Sequence, residues 1–260
     1  MKKKVDIFWT GGFDSSFRVI QLSMLDVLIQ PIYISDNRKS EANELQAIKT
    51  ITKKIEKRTT TKATILPLIY KKKSDISEDK DITKSFYTIQ KKYNLGGQYE
   101  WLARFAKEYG SPIELGLEKE QGSHAYQCLS ESILQKKEYF SNNEYYILAK
   151  EEEINDFDLY VVFSNFRFPL PLFEMTKLEV LEWSKISGFV DIIKNTWFCH
   201  TPIKNESCGL CNPCKQVVDA GMSFRLSRRA RLRYFLFKSN ILGRLILQCF
   251  NKINVFLSKR

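Results

Sequence analysis

Val5-Asp-Ile-Phe-Trp9 is a short, mostly apolar run met at once by glycines, the pattern of a buried parallel strand. From Ser15 to Leu28 the apolar residues Phe17, Ile20, Met24 and Leu28 recur at three- and four-residue steps, which predicts a helix. A second strand is predicted over 29–34, then a polar turn at Ser35-Asp-Asn-Arg38. A long helix over 42–57 and a third strand over 63–70 follow. Strand and helix alternating at this spacing predict an α/β fold, an open parallel sheet with helices on both faces. Further on, 71–84 is charge-rich and reads as a loop or a frayed helix start. Residues 96–109 read as a helix and 113–117 as a fourth strand. The stretch 136–158 is polar and matches neither period. Thr176 opens a helix running to Ser187, with Glu179 in position to complete a capping box.

Composition changes this picture little: 43% apolar and 27% charged residues are ordinary for a soluble globular chain. No uncharged apolar run reaches the roughly 18 residues of a membrane span. The opening Met1-Lys-Lys-Lys runs into a strand without the apolar region of a signal peptide, so a cytoplasmic protein is expected. The net charge of +11 is local. Of 41 Lys and Arg, ten lie in 222–260, a segment without acids, and the rest of the chain is close to neutral. Three regions are therefore expected: 1–195, 196–221 and 222–260.

The string Trp9-Thr-Gly-Gly-Phe-Asp-Ser-Ser16 falls between the first strand and first helix, where such sheets carry their chemistry. Adjacent glycines permit positive φ and close backbone approach. Backbone N–H groups at a helix N-terminus favour phosphate or pyrophosphate. Thr10, Ser15 and Ser16 add hydroxyls, and Asp14 is suited to ordering the turn or holding Mg²⁺. A tight turn whose Asp or Ser merely caps the helix is the competing reading.

Cys199, Cys208, Cys211 and Cys214 form C-x8-C-G-L-C-N-P-C. Four thiolates at this spacing reach one tetrahedral ion, which makes them candidate ligands for a structural Zn²⁺. An iron–sulfur cluster is the alternative. His200 reads as a neighbour rather than a ligand. Cys128 and Cys249 read as small buried hydrophobes, with a sulfur-carrier role for Cys128 kept open.

The glycine string resembles the Ser-Gly-Gly-x-Asp-Ser signature of the PP-loop ATP pyrophosphatases, with Thr10 in place of the first Ser. Together with the cysteine pattern, the chain resembles the 7-cyano-7-deazaguanine synthases. Arg38 with Glu44, Pro171 with Thr176-Lys177-Leu-Glu179, and Thr196 with Cys199 resemble further segments of that family, although Phe198 replaces a Ser. The resemblance implies a PP-loop fold and an ATP-dependent ligase. Such an enzyme adenylates 7-carboxy-7-deazaguanine, releases pyrophosphate, and with ammonia forms first the amide and then the nitrile. It implies ATP, Mg²⁺ and structural Zn²⁺ as cofactors. Thr10, Gly11, Gly12, Phe13, Asp14, Ser15 and Ser16 would bind the nucleotide, with Ser35, Asp36 and Arg38 facing it. Asp14, Ser15 and Lys177 would carry the chemistry. A homo-oligomer is expected. The family's Pro-x-Arg-Asn segment has no counterpart; Gly116-Leu-Glu-Lys-Glu-Gln-Gly122 occupies roughly that region. An aromatic-Gly-Gln-Arg-His run is replaced by Ser35-Asp-Asn-Arg-Lys39, and Val217 stands where the family often has Arg. ATP handling reads as retained and the second pocket as rewritten. A different acceptor, including a protein, a tRNA-modifying enzyme, and a nucleotide-binding module without catalysis therefore stay open.

In the basic segment, Arg225, Arg228, Arg229, Arg231 and Arg233 precede Tyr234-Phe-Leu-Phe237. Leu242, Leu245, Ile246, Phe250, Ile253 and Leu257 then fall on one helical face. This combination suits RNA, an anionic membrane surface or a protein partner, or packing on the chain's own core.

Overall fold

The computed structural model describes residues 2–120, 122–140, 143–154 and 156–238. They fall into two compact units, Met1–Trp197 and a second that begins at Phe198.

The first unit opens with β1 (Lys3–Phe8), α1 (Phe13–Ser23), β2 (Val27–Ser35), α2 (Glu41–Glu56), β3 (Thr64–Ile65) and β4 (Ile69–Lys72). It continues through α3 (Lys80–Tyr93), α4 (Gln98–Tyr109), β5 (Ile113–Glu114), α5 (His124–Ser130), β6 (Leu134–Phe140) and β7 (Asn143–Leu148). It closes with α6 (Phe157–Phe163), β8 (Phe166–Pro169), α7 (Lys177–Ile186) and α8 (Val190–Ile193).

The strands form one sheet in the order β3-β2-β1-β5-β8-β7-β6, with β4 also paired to β2. From β3 and β4 through β8 every pairing is parallel. Alternate residues of the central strands face opposite layers of helices. Phe8, Ile32 and Ile34 belong to the core with Phe86 of α3, Phe105 of α4 and Phe163 of α6. On the other face the Tyr33 hydroxyl donates to Glu44 of α2 at 2.8 Å.

Three departures from the sequence expectation have physical causes. The sheet is not wholly parallel, because β7 pairs antiparallel with β8, and β6 with β7. This hairpin occupies the first half of the stretch that matched neither period. Its Lys136 makes an ion pair with Glu144 at 2.7 Å across the two strands, so charged side chains stand where an apolar alternation would mark a strand. The single strand expected over 63–70 is two short pieces, β3 and β4, separated at Pro67, whose ring nitrogen has no proton to donate to a ladder. The first helix stops at Ser23, and Val27 and Leu28 join β2.

A bidentate ion pair ties α1 to the middle of the sheet. Arg18 Nε and Nη2 donate to the Glu114 carboxylate at 2.8 and 2.7 Å, and both side chains are almost completely buried.

The second unit contains α9 (Asn212–Asp219) and α10 (Arg228–Lys238). Gly209 has φ +79°, and a Cβ there would lie 2.2 Å from the Ala230 carbonyl oxygen, so only glycine lets α10 sit against this turn. Arg233 donates to the carbonyls of Cys208 and Ser207 at 2.7 and 2.8 Å. The start of the basic segment thus packs with the cysteines in one unit, across the boundary expected at 221. The amphipathic face expected from Leu242 to Leu257, and Cys249, lie outside the described residues. Among the described residues no helix is long and apolar enough to cross a membrane.

Candidate functional site

The neighbours of β1 are β2 on one side and β5 on the other, so the direction of winding reverses beside β1. In a parallel sheet the crevice at such a reversal, at the carboxyl ends of the strands, is where ligands bind. Because β2, β1, β5 and β8 are all parallel, the segments after each strand leave the sheet at the same edge. Those segments hold the glycine turn, the Ser35–Arg38 turn, the Gly116–Glu120 segment and the approach to Lys177.

The glycine turn is built for close backbone contact. Trp9 is fully buried, its backbone N–H donates to Ile32 O at 2.9 Å, and its indole N–H donates to Ser16 Oγ at 2.9 Å. Gly11 has φ +69°, and a Cβ there would lie 2.7 Å from Glu44 O. Its carbonyl accepts from Trp197 N–H at 2.8 Å. Gly12 is the N-cap of α1 and supplies no side-chain cap. Thr10, Phe13, Asp14, Ser15 and Ser16 therefore surround a helix start whose backbone donors suit an anion. On the far side Gly116 approaches so closely that a Cβ would lie 3.1 Å from both Ser15 N and Ser15 Cα. Sequence reasoning did not single out Gly116, although glycine two residues past a strand end signals close approach.

This approach carries Glu118 to Asp14 and Lys177. Glu118 is only 3% exposed and forms an ion pair with Lys177, which also reaches Glu120 at 2.6 Å. Lys119 N–H donates to Met175 O at 2.8 Å, binding the two loops together. Burial raises the Glu118 pKa well above the ordinary carboxylate range, the facing Asp14 raises it further, and Lys177 only partly opposes them. At Lys177 burial acts to lower the pKa, but the charges of Glu118 and Asp14 and the hydrogen bonds to Glu118 and Glu120 prevail, so its ammonium stays protonated. The capping box sets the start of α7. Thr176 N–H donates to Glu179 Oε2 at 2.7 Å, and Glu179 N–H donates to Thr176 Oγ1 at 3.4 Å. Lys177 follows as the first helical residue. Glu118 and Glu120 were legible only as acids in an unmatched segment; their meeting with Asp14 depends on β5 lying next to β1.

After β2, Arg38 donates twice to Asp36, at 2.6 and 3.0 Å, and lies 3.9 Å from Glu44. Burial pushes the Asp36 carboxyl up, but the bonds and charge of Arg38 outweigh it and hold the pKa below its ordinary value. Ser35 Oγ donates to Glu41 Oε2 at 2.5 Å. Beside this turn is an open cavity of about 610 Å³, lined among others by Asp36, Asn37, Lys72, Lys73, Ser74 and Arg104. Its volume is within the range of small-molecule sites.

In the second unit the four predicted cysteines converge. Their sulfurs all lie within 4.8 Å of one another, with separations of 3.8 Å for Cys208–Cys214, 3.9 Å for Cys211–Cys199 and 3.5 Å for Cys211–Cys214. A tetrahedron of sulfurs about 2.3 Å from a central Zn²⁺ has edges of about 3.8 Å. An iron–sulfur cluster distributes its thiolates over separate irons and needs a wider spread. The four-cysteine cluster therefore fits a single ion of the size of zinc. Backbone N–H groups support the sulfurs: Cys208 N donates to Cys199 Sγ at 3.1 Å, Gly209 N to Cys214 Sγ at 3.4 Å, and Leu210 N to Cys208 Sγ at 3.3 Å. Cys211 is the N-cap of α9, and Pro213 occupies the first turn. His200 is not among the converging ligands. Cys128 is fully buried in the core of the first unit, and burial pushes its thiol up to about 12, so it is not poised as a nucleophile or sulfur carrier.

No protein-family model matches the chain, and no curated protein matches it.

Proposed function

We propose that the chain is an ATP-dependent enzyme of the PP-loop kind. In this reading it binds the pyrophosphate end of ATP at Thr10–Ser16 and adenylates a small carboxylate, and a nitrogen nucleophile then displaces AMP. The observation that carries the reading is the position of the glycine turn: at the winding reversal of a parallel sheet, with an α1 N-terminus that has no side-chain cap.

Backbone donors of the turn hold the phosphates, and Thr10 and Ser15 add hydroxyls, while Ser16 is fully buried and braces the turn through the Trp9 indole. Asp14, Glu118 and Glu120 bring three carboxylates to this edge against the ammonium of Lys177. Phosphates would be repelled there unless a divalent cation intervened. Asp14 and Glu118 are suited to hold Mg²⁺ entering with ATP, which would supply charge neutralisation when bound. Lys177 keeps its proton and serves as a fixed positive charge for the phosphates or the adenylate. The Arg38–Asp36 pair flanks the nucleotide. The cavity beside it, lined by Lys72 and Lys73 together with Asp36 and Glu78, has the volume for an acceptor of the size of 7-carboxy-7-deazaguanine. The four cysteines would hold a structural Zn²⁺ with no open ligand position, contributing to folding rather than to the reaction.

The test is Mg-ATP binding by calorimetry, followed by turnover with 7-carboxy-7-deazaguanine and ammonia. Saturable Mg-ATP binding with nitrile formed supports the full reading. Binding without turnover on this acid leaves the adenylating reading standing with another acceptor. Absence of Mg-ATP binding by the metal-replete protein overturns it.

A further inference from the structure

From Met222 to Lys238 the second unit carries six basic side chains and no acid. Two of them serve the unit itself: Arg233 holds the carbonyls of Ser207 and Cys208, and Arg225 lies over the Phe198 ring at 4.8 Å. Arg228, Arg229 and Arg231 of α10 are exposed, and none makes an ion pair among the described residues. Ala230, on the opposite side of the helix, is fully buried. Between the free arginines stands Leu232, 58% exposed, and Phe235, 59% exposed, falls on the same side of α10. Uncompensated cations and large apolar groups thus share one surface.

We propose that this surface docks on an anionic lipid bilayer, with the arginines on headgroup phosphates and Leu232 and its apolar neighbours entering the interface. Two features of the chain favour lipid over RNA. The exposed apolar groups include an aliphatic side chain, which a phosphate backbone does not recognise and which gains from an acyl boundary. The sequence after α10 repeats the combination: Leu242, Leu245, Ile246 and Phe250 at helical spacing, with Arg244, Lys252, Lys259 and Arg260 and no acid. Stable surface binding takes two signals, apolar insertion and a basic patch, and this segment supplies both.

The experiment is flotation of the full chain with two kinds of vesicle, pure phosphatidylcholine and phosphatidylcholine with about 30% phosphatidylglycerol. The protein should float with the anionic vesicles only and be released in about 1 M salt, where screening is short-ranged. Removing the charges of Arg228, Arg229 and Arg231 together, as Arg→Gln at each, should weaken partition roughly 100-fold, since each basic residue near a charged surface contributes about fivefold. Leu232→Ser should weaken it separately. Equal binding to both vesicles, no flotation, or unchanged partition of the triple variant would overturn the proposal. So would tRNA that displaces the vesicles and binds through the same three arginines, which would make nucleic acid the partner.

Discussion

Replacing Lys177 with Met leaves an unbranched stem of similar length and removes the ammonium that faces Glu118 and Glu120. The Lys177 and Glu118 side chains are 15% and 3% exposed, so little solvent screens what remains. Removing one partner of a buried ion pair costs about 3–5 kcal/mol, because the other charge is left uncompensated. The lower end applies here, since Glu120 is 27% exposed and can turn to water. Glu118 already has a pKa above the carboxylate range, from burial and from Asp14, and losing Lys177 pushes it further up. The folded variant then binds a proton that the unfolded chain has released. Both proteins lose stability as pH rises through their raised Glu118 value, but the variant's value lies higher, so its deficit grows between the two values and is larger at pH 8 than at pH 5. Urea denaturation at both pH values measures this. Lys177→Met combined with Glu118→Gln should recover about 2 kcal/mol relative to the sum of the single variants. A loss under about 1 kcal/mol, a deficit independent of pH, or strictly additive single effects would show that these charges do not face one another as described.

Gly116→Ala should displace the loop from Ser15, costing about 1–2 kcal/mol in urea denaturation and at least tenfold in Mg-ATP affinity by calorimetry. Unchanged affinity would separate this contact from the nucleotide. Glu114→Gln should lower stability by about 3–5 kcal/mol, read as a fall in Tm, because the Arg18 guanidinium loses its buried counter-charge. Cys211→Ser should lose metal and stability together, measured by elemental analysis and thermal denaturation. A stable, metal-replete variant would remove Cys211 from the ligand set.

Local patterns carried the parts of the fold in which each element declares its own environment. Trp9 to Ser16 could be placed because an apolar strand, two glycines and a helical period follow one another without interruption. Thr176 and Glu179 marked a helix start through chemistry confined to one turn. The cysteines declared themselves by spacing. What escaped depends on pairing between distant segments. β5 is only two residues long, so its place beside β1 is invisible locally, and with it the arrival of Gly116 and Glu118 at Asp14. The β6–β7 hairpin hides behind Lys136, Lys137 and Glu138, which a sheet edge tolerates and an alternation test rejects. Arg18 and Glu114 look like surface charges until the fold buries them together.

If Thr10–Ser16 grips the pyrophosphate of ATP as proposed, the bond broken lies between the α- and β-phosphates. Identifying the products from Mg-ATP with candidate carboxylates, in the wild-type protein and in Asp14→Ala, tests it most directly. The expected products are AMP and pyrophosphate, dependent on the acid and abolished by Asp14→Ala in a folded, metal-replete protein. ADP and phosphate as products, or undiminished turnover in the variant, would contradict it.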